Sequence, residues 1–144
     1  MGSFYKHILL AVDLREDNQT VNTKAVDFAK RYDARLTLLH VVEYMPMDFG
    51  NELVIPQYQD IEQHLTERAQ QQIKNMAQAI DHSKVHGVVE SGATRSVIID
   101  YAQQHDVDLI VLGRHSRSGL SSLLGSTANS VLHHAPCDIF VVKV

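Results

Sequence analysis

The chain has 144 residues, 13 basic and 17 acidic, for a formal charge of −4, with a single cysteine and no tryptophan. That length suits one domain, able to bury roughly two-thirds of the surface its unfolded chain exposes. The acidic balance offers no broad basic face for nucleic-acid phosphates, and no apolar run approaches the roughly 20 residues that span a bilayer.

The N-terminus lacks the charged-then-apolar order of a secretory leader. A lone Cys137 forbids an intrachain disulfide and fits a reducing compartment, so a cytoplasmic protein without a nucleic-acid or membrane partner is expected.

Residues 7–13 form an apolar run that closes on Asp13, a strand followed by polar connection over 14–20. Val21, Ala25, Phe28, Ala29 and Tyr32 mark one face of a helix, with Asp17, Asn18 or Thr20 available as its cap. Residues 36–42 are almost continuously apolar rather than alternating, as expected of a strand covered on both faces. Two covered strands around a helix imply a parallel β-α-β unit. Residues 43–59 carry two of the three prolines, Pro46 and Pro56, with Gly50, Asn51, Met45, Met47, Phe49 and Leu53. This irregular stretch reads either as a lid or as a surface connection with no ligand role.

Ile61, Leu65, Ala69, Ile73, Met76 and Ile80 recur every three or four residues and predict one amphipathic helix of about six turns, its methionines in the core. A third strand over 85–90 is weakened by Gly87 and ends at the turn Ser91-Gly92. A helix over 94–104 turns Val97, Ile98, Tyr101 and Ala102 inward, and strands follow at 107–112 and 138–144. Strands and helices therefore alternate throughout. Right-handed crossovers force such a chain into an open parallel sheet with helices on both faces, and ligands bind outside the carboxyl ends of its strands where the strand order switches. Asp13, the strand end at 41–43, Gly92 and Gly113 sit at such ends.

The most chemically loaded stretch follows the fourth strand: Gly113-Arg-His-Ser-Arg-Ser-Gly-Leu-Ser-Ser-Leu-Leu-Gly-Ser-Thr127. It is small, polar and basic, and it runs into a helix with Ala128, Val131, Leu132 and Ala135 at helical spacing. Unpaired amides at a helix start carry partial positive charge, glycine admits close backbone approach, and hydroxyls add donors. The stretch reads as a phosphate cradle or as an ordinary strand-to-helix connection.

Taken together, Tyr5-Lys-His-Ile-Leu-Leu-Ala-Val-Asp13, Leu38-Leu-His-Val41, Ser91-Gly92, the loop from Val111 to Asn129 and the exit Val131-Leu-His-His-Ala-Pro-Cys-Asp138 resemble the universal stress protein family over essentially the whole chain. The resemblance implies an α/β fold, an open five-stranded parallel sheet in the order 3-2-1-4-5 with helices on both faces, Rossmann-like and similar to the adenine nucleotide alpha hydrolases. It also implies a homodimer, paired through the last strand, 138–144, bounded by Asp138 and Val144. Such pairing would cover an exposed sheet edge.

The family has an ATP-binding branch whose loop carries Gly, two residues, Gly, about nine residues, then Gly-Ser or Gly-Thr. Here Gly113, Ser116 and, after eight residues, Gly125-Ser126 occupy those places, so the second glycine is a serine and the spacer is one residue shorter. A serine still offers its hydroxyl and amide, while its Cβ restricts access where positive φ is required. The resemblance implies adenine against Ala11, Val12 and Val41, with Asp13 near the adenosine. It implies triphosphate oxygens on Gly113, Ser116, Gly125, Ser126 and Thr127, charge from Arg114 and Arg117, and Mg²⁺ riding on the phosphates. Asp13 reads equally as a helix cap, and the two arginines as solvated charge.

Neither a Walker loop nor a Gly-x-Ser-x-Gly elbow occurs. Adjacent histidines on a helix point about 100° apart, so His133 and His134 do not chelate one ion. The nine histidines read as surface residues, with His115 in the loop as the exception that would favour an anion at mildly acidic pH. Cys137 reads as a buried, inert thiol. No catalytic residue emerges. The expectation is an ATP-binding stress-response module with at most slow hydrolysis and a regulatory protein partner that the sequence does not identify; the alternative is a nucleotide-free stress protein acting through protein contacts.

Overall fold

The computed structural model describes residues 4–14, 19–43, 56–114 and 126–143. Among them strands and helices alternate without exception. The elements are β1 (His7–Ala11), α1 (Gln19–Tyr32), β2 (Arg35–Glu43), α2 (Pro56–Ala79), β3 (Val85–Gly92), α3 (Thr94–Gln104), β4 (Leu109–Arg114), α4 (Ser126–His134) and β5 (Asp138–Lys143). The five strands form one sheet in the order β3-β2-β1-β4-β5, every neighbouring pair parallel, as expected. No helix among the described residues is long and apolar enough to cross a membrane.

The central position of β1 explains its continuous apolar run. Ile8 and Leu10 point into one layer, against Val21, Ala25 and Ala29 of α1 and Ile73 of α2, while Leu9 points into the other, with Ile98, Tyr101, Ala128 and Val131 of α3 and α4. Ile8, Leu9 and Leu10 are all fully buried. Burial of each is worth about 1.5–3 kcal/mol relative to an exposed position. Alanines at 25 and 29 let α1 sit close to the sheet, and Phe28 meets Phe140 edge-to-face at 4.9 Å, tying that helix to β5.

Several boundaries differ from the sequence reading for identifiable reasons. β1 ends at Ala11 rather than Asp13, because the Val12 carbonyl accepts from the His40 side chain. Val107 is buried but closes the turn after α3, donating to the Ala102 carbonyl, so β4 begins at Leu109. Gly113 does not end β4: it pairs with Val142, and Arg114 pairs with Lys143. Ser91 and Gly92 likewise extend β3 by pairing with Val42 and Glu43, and Gly92 makes the exit with φ +139, a conformation side chains resist.

The irregular stretch expected over 43–59 gives way to helix at Pro56, whose locked φ and missing N–H suit a first helical position. The rest of it, 44–55, lies outside the described residues, as does the question of a lid. With 24 residues, α2 outruns the sheet it covers. Ala69 and Ile73 are buried accordingly, whereas Ile61 and Leu65 are about half exposed, contrary to the even stripe expected. Gly87 does not weaken β3 idly. A Cβ there would lie 2.2 Å from the Ile73 Cγ2, so the glycine is what lets α2 approach the strand.

Candidate functional site

The strand order reverses between β1 and β4, and there the carboxyl ends converge. β1 pairs with β2 through Ala11 and Leu39, and with β4 through Leu10 and Val111. Extending those registers sets Val12 level with His40 on one side and Gly113 on the other, and Asp13 level with Val41. Ala11 and Val41 belong to the same apolar layer as Leu39, Leu112, Ala128 and Val131, so they floor one face of this end. Val41 is 7% exposed and Ala11 is half-buried.

Val12 differs from its two companions. Its side chain packs into the opposite layer beside Val21, so it offers this face only its backbone. That backbone is anchored: the Val12 amide donates to the Leu39 carbonyl at 2.8 Å, and the His40 Nδ1–H donates to the Val12 carbonyl at 2.8 Å. Asp13, half-buried, follows at once. Across from it Gly113 is half-buried, and Arg114 closes β4. Ser126 opens α4, with Thr127 half-buried next to it, and Ala128 and Val131 seat that helix on the layer of Ala11 and Val41. The first amides of α4 have no intrahelical acceptors and carry the positive end of its dipole. Ser116, Arg117 and Gly125, together with His115, lie outside the described residues.

The same end is braced at β2, where the Thr94 hydroxyl donates to the Glu43 carboxylate at 2.6 Å and joins the strand to the start of α3. A small apolar floor, a glycine at the facing strand and a helix start are the elements that can accept a flat ring with an attached anion. Among the described residues no group of three His, Cys, Asp or Glu is placed to hold a metal ion. His133 and His134 are exposed, and His134 is occupied by the Ser130 carbonyl one turn back, at 2.9 Å. Cys137 is half-buried. Burial first, then the carboxylates of Asp138 and Asp108, push its thiol up to about 11. It therefore stays protonated and unreactive at neutral pH.

The histidines correct the sequence reading most. His7 is 2% exposed, at the amino end of the sheet, and sits in a proton-ordered chain. Its Nδ1–H donates to the His105 carbonyl at 3.0 Å. That tautomer makes its Nε2 the acceptor for the Thr37 hydroxyl, at 2.8 Å. The Thr37 oxygen in turn accepts from the His86 Nε2–H at 3.3 Å. Burial above all, then Arg35, His86 and His105, holds the His7 imidazole below its ordinary value. His86 is lowered too, by burial and then by Arg35 and His105. The available signal was a polar residue inside or at the mouth of an apolar strand: His7, Thr37 and His40 all interrupt such runs.

A family model described as the universal stress protein family matches residues 4–143. Universal stress protein A homolog 1 of Coxiella burnetii is 36% identical over 138 residues, covering 96% of each chain. The solved universal stress protein UspA from Lactobacillus plantarum is 31% identical with a TM-score of 0.76, over 96% of this chain and 97% of that one. A universal stress protein from Archaeoglobus fulgidus, solved in complex with dAMP, superposes with a TM-score of 0.67 at 17% identity, over 97% of this chain and 99% of the other, which shows a shared fold.

Proposed function

We propose, since this chain belongs to the universal stress protein family, that it is a cytoplasmic ATP-binding module that works as a homodimer and signals nucleotide occupancy to a regulatory protein partner. One observation carries the reading. Ala11 and Val41 share a face at the switch in strand order, level with Asp13 and flanked by Gly113 and the first turn of α4. A dAMP complex within the same fold supports an adenine nucleotide as the guest.

In this reading adenine rests on Ala11 and Val41 over the anchored backbone of Val12, and Asp13 takes the ribose hydroxyls. The triphosphate lies on amides and hydroxyls of Gly113, Ser116, Gly125, Ser126 and Thr127, with Arg114 and Arg117 adding charge, and Mg²⁺ is carried on the phosphate oxygens. In this reading hydrolysis is slow at most, and occupancy rather than turnover carries the signal. β5 is an edge strand with Ile139 and Val141 half-buried, so a second copy's β5 is the natural cover.

Isothermal titration with ATP and magnesium, paired with native mass spectrometry, tests both halves. One nucleotide per chain and a mass twice 16.2 kDa are expected; no heat and no competition against a fluorescent ATP analogue overturn the nucleotide reading. A second reading, a nucleotide-free stress protein acting through protein contacts, is favoured by Ser116 standing where the binding branch has glycine. Under it, Ser116→Gly creates or greatly tightens ATP binding that the unaltered chain lacks.

A further inference from the structure

Because all five strands run the same way, the residues that enter them gather at the end opposite Asp13 and Gly113. Lys6 immediately precedes β1, Arg35 opens β2, and Lys84 immediately precedes β3. Backbone bonds tie the three strand starts together: the Arg35 amide donates to the Lys6 carbonyl at 2.9 Å and the Leu36 amide to the Lys84 carbonyl at 2.8 Å, which sets Lys84 level with Arg35 and Lys6 one residue before it. With strands about 4.8 Å apart, three basic residues gather where three adjacent strands begin. They line an open hollow of about 620 Å³ together with Ser83, His86 and one carboxylate, Asp33.

The charges there do not balance. Asp33 is committed to Lys84, whose Nζ lies 2.9 Å from its carboxylate and 3.0 Å from its carbonyl. The nearby Asp108 does not line the hollow, and its Oδ2 accepts from the backbone amides of Lys6 and His7 at 2.8 and 2.9 Å. Among the described residues neither Lys6 nor Arg35 meets a carboxylate. Arg35 comes within 3.3 Å of the His7 Nδ1, but that nitrogen's hydrogen is directed at the His105 carbonyl, so the guanidinium finds no acceptor there. A chain with an overall charge of −4 thus places a fork of donors and an ammonium on one hollow whose single carboxylate, among the described residues, is taken by Lys84. Guanidinium and ammonium groups so placed suit a tetrahedral oxyanion, which the fork can meet with two parallel hydrogen bonds.

We propose that this hollow binds a phosphoryl group, gripped by Arg35 and Lys6 with Ser83, Lys84 and His86 around it. The site stands at the amino end of β2 and the nucleotide site at its carboxyl end, with the whole length of that strand between them. It is independent of whether ATP binds.

The test is residue-resolved NMR of the ¹⁵N-labelled full chain, titrated with inorganic phosphate in one arm and glycerol 3-phosphate in another. Sodium chloride at matched ionic strength is the control. Expected are saturable shifts at Lys6, Arg35 and residues 83–86 with either phosphoryl compound, the tighter arm identifying free or esterified phosphate as the source. His86 should then titrate at higher pH. Arg35→Gln and Lys6→Gln, both at exposed positions, should each weaken that binding roughly tenfold or more while leaving ATP titration unchanged. Equal shifts with chloride, shifts confined to residues 113–127, or undiminished binding in both variants overturn the proposal.

Discussion

Replacing Gly87 by alanine tests how α2 is held against the sheet. The new methyl would sit 2.2 Å from the Ile73 Cγ2 and 3.5 Å from the Ile73 carbonyl oxygen. Carbon atoms pack comfortably at about 3.5–4.0 Å, so the overlap is well over about 1 Å. Ile73 is buried and β-branched on a helix, where one χ1 well dominates, so its methyl cannot swing aside cheaply. Either Ile73 leaves its rotamer or α2 lifts from β3, an overpacking cost of about 1–3 kcal/mol. The backbone entropy removed from the unfolded chain returns about 0.4–1 kcal/mol. A net loss of about 1–2 kcal/mol should lower the melting temperature by roughly 3 to 8 °C. Guanidinium unfolding of Gly87→Ala, Ile73→Ala and the double variant decides the matter. Ile73→Ala alone opens a cavity costing about 2–5 kcal/mol, but in the double variant the new methyl occupies the vacated space, so the losses should fall short of their sum by more than about 1 kcal/mol. Additive losses, or a Gly87→Ala midpoint equal to that of the unaltered chain, would refute steric conflict as the cause.

His7 has a lowered folded value, so it favours the neutral form and the native state binds fewer protons there than the unfolded chain. Its contribution to stability is complete above about 6.5 and is lost as pH falls through the folded value. His7→Asn, which keeps a donor toward the His105 carbonyl, should flatten the loss of stability between roughly pH 7 and 5 in chemical unfolding. A variant with the same acid slope as the parent would assign that slope elsewhere. Ala11→Leu adds bulk on the floor shared with Val41 and should weaken ATP binding at least about tenfold by calorimetry; unchanged affinity would place the ring away from that floor. If the proposed dimer pairs through β5, lysines at both Ile139 and Val141 should leave a monomer by light scattering, and a dimer persisting in that variant would locate the interface on another surface.

The fold was legible because each layer writes its own period. Ile8, Leu9 and Leu10 are consecutive and apolar, as a strand covered on both faces requires, while Val21, Ala25 and Ala29 keep the helical spacing of a one-sided cover. Boundaries were less legible, since they depend on partners distant in sequence. Nothing near Val12 announces that a histidine from the adjacent strand will take its carbonyl, and Gly113 looks like a stop until Val142 is seen to pair with it. Where the candidate site lies was readable in outline from the apolar runs leading toward Asp13 and Gly113, although β1 stops at Ala11 and β4 runs on through Gly113. Its finer sorting was not: alternation along β1 turns Val12 away from the face of Ala11, and Val41 joins that face from a different strand. The basic hollow escaped notice because Lys6, Arg35 and Lys84 are scattered along the chain and meet only through parallel pairing.

The imidazole of His40 adds a side-chain tie where the pairing of β1 stops. Beyond Ala11 a side chain from β2 captures the Val12 carbonyl as the backbone departs toward Asp13. That segment is therefore held to β2 by one ladder-like bond, from the Val12 amide to the Leu39 carbonyl, and by one ring. Disturbing that one side chain should loosen the mouth of the central strand while leaving the five-stranded frame beneath it in place.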